Sequence, residues 1–199
     1  MGKSGPALPQ EPAISHTATP HERILDVARE MFCRDGIHAT GIDRILTAAG
    51  ASKMTLYGRF GSKEALVREV LRHEGQDWRE HFFAAVMQSG STPRARLEGI
   101  ITALELWFNG GKFYGCAFMN AIAEHAKGEA WLRELAGGHH KLILTFLADL
   151  GREAGEAEPE LLARQLLLLI DGIIAALMVS GDPSVLDIAA RNLKAILRH

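Results

Sequence analysis

Residues 41–60, GIDRILTAAGASKMTLYGRF, hold two short amphipathic stretches separated by a tight turn. Ile42, Ile45 and Leu46 place apolar side chains on one face of a helix over about 42–48. Ala49-Gly50-Ala51 breaks it, and Ser52 is placed to cap a second helix running to about Phe60. Short helix, glycine-containing turn and short helix together form the pattern of a helix-turn-helix. Such a unit needs small residues where its helices cross, and Ala48, Ala49 and Ala51 supply them. Leu56 and Phe60, four apart, are set to bury against Ile45. The opposite face then presents Lys53, Met54, Thr55, Tyr57, Gly58 and Arg59, the residues that would meet base edges and phosphates.

Outward from this unit the 3.6-residue period dominates and strand signals are scarce. His21 to Arg34 places Ile24, Ala28, Met31 and Phe32 on one face, with Gly36 as terminator. Ser62 caps a long helix over 63–88 carrying Leu66, Val70, Trp78, Phe82 and Phe83. Thr92-Pro93 opens a helix to about Phe108. Further helices are expected at about 115–126, 129–154, 160–180 and 184–198. The fold class is therefore all-α, with about nine helices: an N-terminal three-helix unit containing the helix-turn-helix, then a larger helical domain. Residues 1–20, rich in proline, read as a disordered arm. A change of character near residue 75 marks the boundary, giving domains at 21–75 and 76–199. The first 75 residues carry net charge +1 and the remainder −3, summing to the −2 of the 199-residue chain.

This balance excludes a chain coated in positive charge while leaving the locally basic stretch 53–63, with Lys53, Arg59, Lys63 and no acid. An apolar share of 47% and a charged share of 23% are those of a globular protein. No secretory signal is visible. The apolar run 161–180 is interrupted by Arg164, Gln165 and Asp171 and reads as a buried helix of a soluble protein rather than a membrane span. Cys33 and Cys116, 83 positions apart, form no disulfide framework and no metal-ligand spacing, so the cytoplasm is the expected compartment.

The run from Arg23 to Leu71 resembles the N-terminal domain of the TetR/AcrR family of bacterial transcriptional regulators. The resemblance rests on F-x-x-x-G at Phe32–Gly36, A-G-x-S-K at Ala49–Lys53, T-L-Y at Thr55–Tyr57 and F-x-S-K-E-A-L at Phe60–Leu66. It implies a homodimer on a palindromic operator in double-stranded DNA, each recognition helix in one major groove. It also implies a C-terminal domain that binds a small effector and dimerises, and no enzymatic activity. Lys53, Tyr57 and Lys63 align with the family's phosphate-contacting positions. Thr55 and Arg59 are the candidates for base contacts, and the helix start at Ser52 offers free N–H groups to phosphate. Three residues depart from the family pattern. Met54 replaces a frequent glycine, Gly58 a larger residue, and Gly41 a hydroxyl residue at the first motif helix.

The second half carries Trp78, Phe82, Phe83, Trp107, Phe108, Phe113, Tyr114, Phe118 and Trp131, enough to line an apolar cavity between helices. Phe113 to Ala121 resembles a stretch that lies beside the effector pocket in one branch of the family. The candidate ligand-binding residues are Trp78, Phe82, Trp107, Phe108, Phe113, Cys116, Met119, Asn120, His125 and Asp171. Glu124, His139 and His140 are further polar groups nearby. An unpaired Asp171 inside LLLLIDGII would be costly, so it either meets a dimer partner or points at a ligand. Adjacent His139 and His140 diverge by about 100° on a helix and do not make a metal site; no cofactor is expected. Cys116, four residues after Lys112, leaves a thiol-based redox sensor as the alternative function, and a small helical enzyme using Cys116 and His125 as another. The expected dimer interface is built from helices near 160–180 and 184–198. Its stripe is Leu162, Leu166, Leu169, Ile173, Ala176 and Leu177, facing Leu186, Ile188, Ala189, Leu193, Ile196 and Leu197.

Overall fold

The computed structural model describes residues 18–111, 113–125 and 129–198, and these contain ten α-helices and no strand. They run α1 (Pro20–Asp35), α2 (Ile42–Ala49), α3 (Lys53–Phe60), α4 (Lys63–Gln88), α5 (Pro93–Glu98), α6 (Ile100–Phe108), α7 (Ala117–Glu124), α8 (Ala130–Glu153), α9 (Pro159–Ser180) and α10 (Ser184–Ile196). The arm expected at 1–20 lies, through residue 17, outside the described residues. Of its last positions, Thr19 caps α1 and Pro20 opens it. Thr19 accepts from the Glu22 amide at 3.3 Å and its own amide donates to the Glu22 carboxylate at 2.6 Å, a reciprocal cap that sets the helix start at Pro20. Gly36 ends α1 at φ +90°, a backbone conformation that disfavours any side chain.

Where nine helices were expected there are ten, because the 93–108 helix is divided at Gly99. Thr92 caps its first turn, and the Gly99 amide bonds back to the Ala95 and Arg96 carbonyls. Crowding requires glycine at this position. A Cβ at position 99 would lie 1.8 Å from Ser89 Oγ and 2.3 Å from Ser89 Cβ.

Two hydrophobic cores share α4. The first holds Ile24, Ala28 and Phe32 of α1, Ile45 and Leu46 of α2, Leu56 of α3, and Leu66, Val67, Val70 and Leu71 of α4. The second holds Phe82 and Val86 of α4 with the buried faces of α5, α6, α8, α9 and α10. The first core does not stop at residue 75, for it also takes Phe118 and Ala121 from α7 and Leu132 and Ala136 from α8. Gly75 marks the crossing, its missing Cβ leaving room for the Phe118 ring edge 2.8 Å from where that atom would be.

The stripe expected at the dimer interface requires correction. Leu162, Leu166, Ile173 and Leu177 are buried within the chain's own core, and Leu169 and Ala176 are half-buried. On α10, Leu186, Ala189, Leu193 and Leu197 are likewise buried, Ile196 is half-buried and Ile188 is exposed. The physical reason is that α9 packs against both α8 and α10, so its apolar circumference is wider than one stripe. The face left free is offset from the expected one: Leu161, Leu168 (75% exposed), Gly172, Ala175 and Val179 (90% exposed), spaced along one side of the helix. By length and composition α9 could cross a membrane, but nearly half of its most apolar window is buried in this bundle.

Gly99→Ala is expected to lower stability by about 1–3 kcal/mol through overpacking. Thermal denaturation of the single variant and of the Ser89→Gly, Gly99→Ala pair checks it, the second change restoring most of the loss.

Candidate nucleic-acid interface

The turn between α2 and α3 is held from α1. Arg23 donates from Nε to the Ala49 carbonyl at 3.0 Å, from Nη2 to Gly50 at 3.4 Å and from Nη1 to Ala18 at 2.9 Å. Gly50 closes α2 in the left-handed conformation, φ 57°. Ser52 Oγ accepts from the Thr55 amide at 3.1 Å and so starts α3. Leu56 is fully buried against the first core, and this rotation fixes what α3 shows to solvent. Met54 is 85% exposed and Tyr57 48%, and Ser52, Lys53, Gly58 and Arg59 share the exposed surface. Thr55 is half-buried, its hydroxyl 2.9 Å from Ser52 Oγ, so it is partly engaged within the cap. The Arg59 guanidinium lies over its neighbour Phe60 at 5.7 Å.

Two of the expected phosphate contacts have partners of their own. Lys53 Nζ sits 2.8 Å from the exposed Asp43 carboxylate, which raises the pKa of the ammonium. Lys63 turns away from α3 and donates to the Ile37 carbonyl at 2.7 Å; burial lowers its pKa. Gly41 caps α2 with no side-chain bond, leaving its first amides open.

Sequence reasoning missed the polar ties behind this surface. Buried Thr40 donates to Gly36 at 2.7 Å, and Arg44 pairs with Asp35 at 2.8 Å. Glu124, at the end of α7, accepts the His38 amide at 2.8 Å, and its carboxylate oxygens lie 3.2 Å from where a Gly36 Cβ would stand. The only signal in the sequence was Glu124 as an unassigned polar group. Contacts across 86 positions leave no local trace.

The expected ligand-binding residues divide into groups. Trp78 stacks on Phe82 at 4.7 Å and meets the Trp107 edge at 5.7 Å; Phe113 touches Trp107 at 4.9 Å and Phe108 at 5.2 Å. These rings form one continuous cluster. Cys116, Met119 and Asn120 are half-buried, Cys116 packing against the core that holds these rings and Asn120 donating to the Tyr114 carbonyl at 2.9 Å. Asp171 lies 3.7 Å from His140 within the same chain, and burial raises its pKa. His125 is elsewhere. Its ring is 5.1 Å from His38 and 5.8 Å from Trp131, at the junction with the N-terminal unit. A hollow of about 10 Å³ between α1, α4 and α7 reaches Asn120 but no ring of the cluster. A groove of about 360 Å³ between α5 and α10 is lined by Arg94, Glu98, Ala190, Leu193, Lys194, Leu197 and Arg198 and includes none of the expected ligand residues.

His139 is buried, 7% exposed, stacked on Phe118 at 4.4 Å, with Arg79 Nη1 2.7 Å from its Nδ1. A guanidinium can only donate, so Nδ1 accepts and the ring proton resides on Nε2. Burial, then the charges of Arg79 and His140, push its pKa down to about 3. Among the described residues no group of three or more His, Cys, Asp or Glu side chains is placed to hold a metal ion. Burial also pushes the Cys33 thiol up to about 12 and raises that of Cys116, so neither is an activated thiolate at neutral pH. Lys112 lies outside the described residues.

An all-helical chain whose second short helix is rooted by one leucine and exposes its N-terminal face has the architecture of the helix-turn-helix regulators. Residues 24–70 match the family described as bacterial regulatory proteins, tetR family. The HTH-type transcriptional repressor KstR2 of Mycolicibacterium smegmatis is 33% identical over 89 residues, 45% of this chain and 43% of that protein. KstR2 of Rhodococcus jostii is 37% identical over 83 residues, covering 40% of this chain and 38% of its own. The crystal structure of a TetR-family transcriptional regulator from Streptomyces coelicolor superposes with a TM-score of 0.81 at 26% identity, over 90% of this chain and 94% of that one. Over residues 24–70 the chain is similar to the tetR family, and its fold is that of a TetR-family regulator, while it spans only about two fifths of the length of the first curated relatives it matches. Those relatives are regulators and not enzymes.

Folded His139 stays neutral down to about pH 3, whereas an unfolded chain protonates it below about 6.5. Stability is therefore expected to fall as pH drops through that window, by at most about 1.4 kcal/mol per pH unit. Urea unfolding at pH 7.5 and 5.0 checks it, with His139→Gln showing the shallower dependence.

Proposed function

We propose that this chain is a cytoplasmic, homodimeric, ligand-responsive transcriptional repressor that leaves a palindromic operator when a small apolar or aromatic effector binds. The observation that carries the reading is the exposed N-terminal face of α3: Lys53, Met54, Tyr57 and Arg59 stand clear of the protein while Leu56 anchors the helix beneath them. No acid occupies the first turn of α3 to repel phosphate. Lys53 and Tyr57 fix position on the backbone, with Lys53 exchanging Asp43 for a phosphate. Thr55 and Arg59 read bases, Arg59 suiting a guanine edge. Met54 offers an apolar surface to a thymine methyl. The relatives named as repressors support repression rather than activation.

The dimer forms through the free face of α9, Leu161, Leu168, Gly172, Ala175 and Val179, joined by Ile188 of α10. Small residues in the middle of an apolar face suit close approach of a second copy about a twofold axis. The effector enters the ring cluster around Trp78, Trp107 and Phe113. It must bind the DNA-incompetent arrangement more tightly than the competent one, otherwise no shift occurs. α4 carries the change, since it starts three residues after α3 and ends among those rings.

Selection of bound sequences from a random duplex pool should enrich a palindrome. On that site Lys53→Ala should weaken binding to all sequences and flatten the salt dependence by about 0.9 in log–log slope for each phosphate that the variant no longer neutralises. Arg59→Ala should instead relax preference at one position of each half-site, at a cost of about 1–3 kcal/mol. Leu168→Glu should give a folded monomer by sedimentation velocity that no longer retains the palindrome. Recovery of no motif from a protein stripped of bound small molecules sinks the reading.

A further inference from the structure

The arginines of α4 do not share one fate. Arg68 pairs with Glu64 at 2.5 Å and Arg72 with Glu69 at 3.2 Å, while Arg29 on α1 takes both Glu74 and Asp77. Arg79 is left with a neutral partner. Among the described residues its one hydrogen bond goes to the His139 ring, and no carboxylate lies within 4 Å of it. Asp77 is held by Arg29, and Glu80, whose charge favours the Arg79 cation, makes no ion pair with it among the described residues and accepts from Gln76 at 2.9 Å. The side chain is half-buried, with Nη1 folded back over Gly75, 3.0 Å from the missing Cβ. A charge taken partly out of water without a counter-ion is costly and persists where something else repays it.

The surroundings say what would repay it. His139, which accepts from Nη1, fixes the plane of the guanidinium while leaving its other donors free. Trp78 lies 5.7 Å from the His139 ring and Phe118 stacks on its face at 4.4 Å, so apolar rings flank the histidine that receives the cation. Another acid, Asp171, is turned to His140. We propose that the ligand of the regulatory half is an aromatic or apolar carboxylate, whose carboxylate oxygens are held by the Arg79 guanidinium while its apolar body displaces rings of the Trp78–Phe113 cluster. The planar fork of a guanidinium matches a carboxylate in two-toothed fashion, which an ammonium or hydroxyl does not. This rests on the effector-responsive reading above and narrows it to one chemical class. It also names the point of leverage: a bound anion would engage the midpoint of the helix whose first turn adjoins α3.

The test is calorimetric titration of the full-length protein with matched pairs of probes: benzoate, 2-naphthoate and 4-phenylbutyrate, each against its carboxamide. At least one carboxylate should bind tenfold or more tightly than its amide. Arg79→Gln, which keeps a donor for His139, should abolish that preference and leave amide binding intact; Arg79→Lys should recover part of it. Unchanged melting temperatures show that the variants remain folded. Equal binding of carboxylate and amide overturns the anion inference and leaves the effector reading standing. A preference that survives in Arg79→Gln places the anion elsewhere and overturns it too. If no member of any pair binds, both the inference and the effector-responsive reading fall.

Discussion

The packing of α4 into two cores constrains everything else in the chain. Its 26 residues rise about 39 Å at the usual 1.5 Å per residue. One end buries Leu66, Val67, Val70 and Leu71 against α1, α2 and α3, and the other buries Phe82 and Val86 beneath α6 and α8. Neither end can rotate about the helix axis without opening the other's core. The orientation of the exposed face of α3 is therefore set by the C-terminal half as well as by its own neighbours. Gly75 is a close point of the arrangement, since any larger residue there would push Phe118 away and with it α7.

Around this rod the N-terminal unit is tied by hydrogen bonds to backbone carbonyls and amides more than by ion pairs. Arg23 holds the α2–α3 turn, Thr40 and Lys63 hold the α1–α2 loop, and Glu124 reaches the same loop from α7. Each such bond contributes about 1 kcal/mol net, but their directionality matters more than their sum. They leave the exposed face of α3 as the part of the unit with few internal commitments. Exposed pairs such as Lys53 with Asp43 are cheap to exchange for another partner, because solvent already screens them.

The helices are legible in the sequence because their local chemistry is explicit. Ser52, Ser62 and Thr92 cap where hydroxyls precede periodic apolar runs, and Gly36 and Gly50 terminate where a positive φ is needed. The need for glycine at position 99 is not legible, for it comes from Ser89 at the end of α4 pressing on that position. The outward face of α3 follows from Leu56 alone, whereas the inward turn of Lys63 depends on a loop 26 positions away. The dimer stripe is misplaced by sequence reasoning for a related reason. A helix that is apolar around most of its circumference does not announce which side its own chain covers. Arg79 escapes notice because its hydrogen bond to His139 spans 60 positions and so leaves no local trace.

The sharing of Phe118, Ala121, Leu132 and Ala136 with the first core also bears on how the protein comes into being. A ribosome adds about 5–20 residues each second. When Leu71 has emerged, α1, α2, α3 and the start of α4 can assemble, but one side of their core still awaits side chains encoded some sixty positions later. For several seconds the nascent unit carries an open apolar flank, closed only by the arrival of α7 and α8. A product that stops short of residue 136 keeps that flank open permanently, which favours its capture by chaperones or proteases.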